Sequence, residues 1–358
     1  MGAGVAAAFG LSDALTPALF GASPNRAVVC IYLVGGNDSN NMIVPLDSPA
    51  YDAYARGRGA LGLAKDVLLP VQTSNPSASY GFHPSMPGLR DLYNENALAV
   101  VANVGRVAPD HTISRDAFDH TREMQLHYLP DAYLTIPWAV SGSNPSPVLS
   151  LKHGVTLAAP DAQPARRRTL LEGIAAAPPV SGLTATLLGR QLGAVLSALK
   201  LRAFRQPAFL VPFGGFETNC DQLNAQAALF AELDDALVTF YRAIGELGMS
   251  DSVTIYTDTE FNRTLVPNKS GGTDHAWGGH QLVVGLPALG GRIYGRFPSL
   301  EVGGADDVAG NGTWAPSTSN AQYAATLAYW YGKTDLADVP EYAASADAME
   351  SRLSFLPN

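Results

Sequence analysis

Four stretches of this 358-residue chain concentrate side chains able to do chemistry. Asn37-Asp38-Ser39-Asn40-Asn41 sets a carboxylate behind Gly35-Gly36. A carboxylate on so flexible a lead can reach a divalent cation, although Gly-Asn-Asp is also ordinary turn chemistry. Asp110-His111-Thr112-Ile113-Ser114-Arg115-Asp116 offers the hydroxyl of Ser114. That hydroxyl is a nucleophile if a metal or base lowers its pKa, and otherwise a helix N-cap. In Phe216-Glu217-Thr218-Asn219, Glu217 and Asn219 are oxygen ligands or the acidic start of a helix. Asp258-Thr259-Glu260-Phe261-Asn262-Arg263 is followed in a Gly-rich loop by Asp274-His275. Carboxylates and an imidazole so spaced form a metal-ligand arrangement.

The elements that must position these groups are legible as apolar runs. Residues 27–34, AVVCIYLV, suit a strand buried on both faces, and they end at Gly35-Gly36. Leu98–Val104, Pro207–Phe213, Val253–Tyr256 and Leu282–Leu286 are further strands. Helices fit between them, over Leu183–Phe204, Gln222–Leu247 and Gln322–Gly332. In the second of these, Phe230, Leu233, Leu237, Phe240, Ile244 and Leu247 repeat at helical spacing and Gly248 stops the run. The alternation predicts an α/β fold with a mostly parallel central sheet and helices on both faces. Polar clusters that follow successive strands then converge at one sheet edge, where ligands bind in open α/β sheets. Residues 142–182, rich in Pro, Ser and Ala, read as loops or an insertion.

Composition narrows the function. A net charge of −9 with only 15% charged residues gives no basic footprint for nucleic acid. The one basic run, Arg166-Arg167-Arg168, reads as a solvated loop, with anion binding as the alternative. Cys30 lies in an apolar run and reads as a small buried hydrophobe; pairing with Cys220 is the alternative in an oxidising compartment. Residues 2–22 are small and apolar, uncharged except for Asp13, and precede Ser23-Pro24. They read as the core and tail of an export signal, an ordinary apolar helix being the alternative. Asp13 and Pro17 interrupt them, so a membrane span is not expected there or elsewhere. Gly/Ala-rich cores of this kind follow a twin-arginine pair, which places the true start upstream of Met1. The expectation is an export remnant over 1–24, then one domain over 25–358 working in the periplasm or outside the cell.

The motifs resemble a bacterial family known as domain of unknown function 1501, whose members are similar to alkaline phosphatases and sulfatases. The resemblance rests on Leu33-Val34-Gly35-Gly36-Asn37-Asp38 with Asn41, Phe82-His83-Pro84, Ser114, and Phe216-Glu217-Thr218-Asn219 with Gln222. It continues through Glu260-Phe261 with Arg263, Gly272-Thr273-Asp274-His275 and Gly291-Arg292-Ile293-Tyr294-Gly295. It implies an alkaline-phosphatase-like fold and an exported, metal-dependent hydrolase of phosphate or sulfate esters. Asp38, Glu217, Asn219, Glu260, Asp274 and His275 would be the metal-site residues. Ser114 would stand in the nucleophile region, and Arg263 would orient an anionic ester or glycan-like substrate. Three positions depart from the family pattern: Glu217-Thr218-Asn219 replaces Asp-Thr-His, Arg115 replaces the His after the serine, and Thr259 and Asn262 alter Ser-Glu-Phe-Gly-Arg. An amide in place of an imidazole makes Mg²⁺, Ca²⁺ or Mn²⁺ as suitable as Zn²⁺. It also leaves a catalytically degenerate exported binding protein as the alternative.

Overall fold

The computed structural model describes residues 26–72, 78–107, 148–158, 164–202, 204, 206–285, 288–332 and 352–356. Ser114 with its neighbouring cluster, and the apolar stretch read as an export signal, lie outside them.

In chain order the elements are β1 (Ala27–Val34), α1 (Ser39–Met42), β2 (Ile43–Pro45), α2 (Ala50–Arg58), β3 (Leu69–Gln72), β4 (Ser79–Phe82), α3 (Pro87–Asn94) and β5 (Leu98–Gly105). There follow β6 (Val148–Ser150), β7 (Thr156–Ala158), α4 (Pro164–Ala176), α5 (Leu187–Lys200), β8 (Ala208–Gly214) and α6 (Gln222–Glu246). The last are β9 (Val253–Asp258), β10 (Gly279–Val284), β11 (Arg292–Tyr294), β12 (Thr318–Ser319) and α7 (Asn320–Tyr331).

A nine-stranded sheet runs β11-β5-β10-β9-β1-β8-β7-β6, with β12 also on β5. The period-2 alternation of β1 builds two cores. Val29, Ile31 and Leu33 join buried residues of α5 and α6, whereas Val28 and Cys30 join those of α7. Helices therefore cover both faces, as expected. In α6 the buried stripe is Phe230, Leu233, Leu237, Phe240 and Ile244, and Gly248 ends the helix region at φ +65°. A capping box between Ser319 and Gln322 starts α7. A separate antiparallel sheet, β2-β4-β3, packs beside α3.

Two expectations need adjustment. The large sheet has a parallel centre but is mixed: β9-β1-β8 is parallel and β11 and β12 run parallel to β5, whereas β10 runs antiparallel to both β9 and β5, and β6-β7-β8 is antiparallel. The cause is connectivity. A parallel return needs a crossover, usually a helix, and the stretch 259–278 between β9 and β10 contains none. The second correction concerns 142–182, whose described part holds β6, β7 and α4; Arg166–Arg168 lie in α4 rather than in a loop. Both cysteines are free, Cys30 buried and Cys220 exposed. No helix among the described residues is long and apolar enough to cross a membrane.

Candidate functional site at the ends of the parallel strands

Three parallel strands deliver their loops to one edge. After β1, Gly35 and Gly36 turn at φ +109° and +85°. A Cβ on Gly35 would lie 2.4 Å from the backbone nitrogen of Glu217, so only glycine lets the loops after β1 and β8 touch. The amides of Gly35 and Gly36 point at Glu260 beyond β9, donating to its carboxylate at 3.1–3.3 Å and 3.2 Å. Burial raises the Glu260 pKa, and these amides oppose the shift.

Arg263, fully buried, pins the loops together. Its Nε donates to the carbonyls of Gly36 (2.9 Å) and Phe216 (3.1 Å). Its Nη1 donates to Asn219 Oδ1 and to the Thr273 carbonyl, both at 2.7 Å. Its Nη2 reaches the Gly35 carbonyl at 2.6 Å and Glu217 Oε1 at 3.1 Å. Burial lowers its pKa against the pull of the Glu217 carboxylate.

Above this buried guanidinium stands the accessible part of the site. Glu217, half exposed, accepts from Asn219 Nδ2 at 2.6 Å through Oε1. The same oxygen lies 2.9 Å from His275 Nε2. Desolvation pushes the Glu217 pKa up, but the hydrogen bonds from His275, Asn219 and Arg263 outweigh it and leave the carboxyl below its usual range. The His275 ring stacks on Phe261 with centroids 4.0 Å apart. Asn268 Nδ2 ties Asp274 Oδ1 (3.1 Å) to the carbonyl of Asn219 (3.0 Å).

Asp38 is one layer deeper and fully buried. It caps α1 through the amide of Asn40 at 3.0 Å. Its other oxygen is ion-paired to Arg58 and accepts from Gln222 Nε2. Gln222 in turn accepts from Thr273 Oγ1 at 2.5 Å. Arg58, with no solvent exposure, also donates to Asn41 Oδ1 (2.9 Å) and to the carbonyls of Thr264 and Leu265 (2.9 and 3.0 Å). Burial brings its pKa down to about 9.

Glu217, Asn219, Glu260, Arg263 and His275 thus form one connected group. Asp274 joins it through Asn268, and Asp38 sits beneath it. Sequence reasoning missed Arg58. Its signal is faint: Tyr54 and Arg58, one helical turn apart on α2, both donate to Asn41 Oδ1. Among the described residues, no three His, Cys, Asp or Glu side chains are arranged to hold one metal ion.

The fold and site define a mixed α/β protein with a polar cluster at the ends of its parallel strands. Within it, residues 182–311 match the model of a family described as "Protein of unknown function (DUF1501)". The matched stretch contains Glu217, Asn219, Glu260, Arg263, Asp274 and His275, while Asp38 and Ser114 fall outside it. The match supports the unknown-function family and carries no alkaline-phosphatase or sulfatase likeness. No curated protein matches the chain.

Proposed function

We propose that this chain is an exported binding protein whose strand-end site works without a resident metal. The observation that carries this is the state of Asp38. The carboxylate assigned by resemblance as the first metal ligand is closed off by Arg58 and Gln222, so a buried guanidinium meets its charge. The remaining donors fit a shared cation poorly. Asn219 Oδ1 is engaged by Arg263, and Glu217 Oε1 receives Asn219 Nδ2 and Arg263 Nη2 and lies opposite His275 Nε2. The groups left facing solvent are Glu217, Asn219, Asp274 and His275. They suit a ligand bearing hydroxyl or amino groups, such as a glycan or a partner's side chains, better than a free anionic ester.

A second reading, the metal-dependent ester hydrolase, is favoured by one feature: the accessible His275–Glu217 pair, an imidazole positioned by a carboxylate. Elemental analysis of the purified protein, after reloading with Zn²⁺, Mn²⁺, Mg²⁺ and Ca²⁺, separates the two. The binding reading expects no stoichiometric metal and a melting temperature indifferent to EDTA. A near-stoichiometric metal that disappears in His275→Ala would overturn it.

A further inference from the structure

A second site lies away from the strand-end cluster. Between the small sheet and the end of α3 is a cleft of about 530 Å³, within the range of small-molecule sites. We propose that it binds a neutral sugar unit of a glycan. Leu46, Pro70 and Val71 form an apolar wall, and Ser79, Asn94 and Asn96 provide hydroxyl and amide groups. This mixture matches a sugar ring, which offers an apolar C–H face and hydroxyls that both donate and accept. Side-chain amides likewise do both. Asn94 and Asn96 are exposed, and neither side-chain amide bonds to another described residue.

The surroundings disfavour anions, added peptide strands and flat aromatics. None of the described lining residues carries a charge, so an anionic ligand would lose hydration without a counter-ion. Asp47 accepts from the amide and hydroxyl of Ser79, and Glu95 is held by Arg242 at 2.6 and 2.7 Å. Asn94 is the last residue of α3, whose carboxyl end disfavours anions. An added peptide strand is opposed by Pro70, which has no N–H to donate from edge strand β3. A flat aromatic ligand finds no stacking partner among the described lining residues, because the ring of Tyr93 is itself buried.

The proposal stands independently of the strand-end reading. Its test is isothermal titration calorimetry of the full chain with cellotriose, maltotriose and tri-N-acetylchitotriose, and with trigalacturonate as the charged control. At least one neutral trisaccharide is expected to bind and the control is not. Asn94→Ala and Asn96→Gly should each weaken binding by about tenfold, the loss of one or two hydrogen bonds. Glycine accommodates the φ of +60° at position 96, and both sites are exposed, so folding checked by circular dichroism should be intact. Asn94→Trp should close the mouth and abolish binding, while Lys200→Ala, exposed at the end of α5 and in neither site, leaves it unchanged. Absence of binding by all three neutral sugars, equal binding of trigalacturonate, or affinity insensitive to Asn94→Ala, Asn96→Gly and Asn94→Trp would overturn the proposal. Loss of binding in His275→Ala alone would assign the sugar to the strand-end site instead.

Discussion

Replacing Arg263 with lysine tests whether the guanidinium is the pin of the strand-end site. Arg263 serves four backbone carbonyls, those of Gly35, Gly36, Phe216 and Thr273, the last three buried, besides Asn219 and Glu217. Lysine keeps the charge but has three donors at a single point, so it cannot span partners arranged around a planar fork. Two or more of those carbonyls would be stranded, each at about 1–3 kcal/mol. The expected loss is therefore about 3–5 kcal/mol, similar to that for breaking a buried charged pair. Urea unfolding of wild type and Arg263→Lys at pH 7 reads this directly. A change within about 0.5 kcal/mol, the range of ordinary surface substitutions, would refute the reasoning and leave the guanidinium available to a ligand.

Burial holds His280 and His83 neutral, bringing their pKa values to about 3 and about 4. The unfolded chain therefore takes up protons first as pH falls, and stability present at neutral pH is lost from about 6.5 downward. At pH 5 the two sites together remove about 4 kcal/mol, and His280→Gln should remove about half of that pH dependence in urea titrations. The Asp307 carboxylate accepts from the amides of Gly303, Ala309, Gly310, Gly312 and Thr313. Burial raises its pKa, but these amides outweigh burial and leave it depressed, so its contribution is present at neutral pH and lost in acid. Asp307→Asn should cost about 1–2 kcal/mol at pH 7, with the gap from wild type closing below about pH 4. Gly35→Ala should push the Glu217 backbone away; an unchanged His275 imidazole signal in nuclear magnetic resonance spectra would contradict that.

The sequence revealed most where a side chain's environment repeats along the chain. The unbroken apolar run of β1 and the stripe of α6 announce burial on two faces and on one. It revealed less where partners are remote. Nothing local in Gly279–Val284 distinguishes a parallel from an antiparallel neighbour; the absence of a helix between β9 and β10 decides that. The short strands β2, β3, β4, β11 and β12 carry too few residues for a period. The polar clusters were legible as clusters, and four of the site residues do meet around Arg263. Their roles were not legible. Asp38 reads as an accessible carboxylate until Arg58, from a helix with no motif, closes over it.

The position of β1 also bears on how the chain is made. Its neighbours are β8 and β9, starting at Ala208 and Val253. Until those segments leave the ribosome, AVVCIYLV is an uncharged, aggregation-prone strand without a partner. Pairing across such separations is slow, because the intervening loop must close before the contact forms. Folding is therefore late and nearly all-or-none with respect to synthesis. A chaperone that masks residues 27–34 on the nascent chain would govern the yield of this protein more than any stabilising change at its surface.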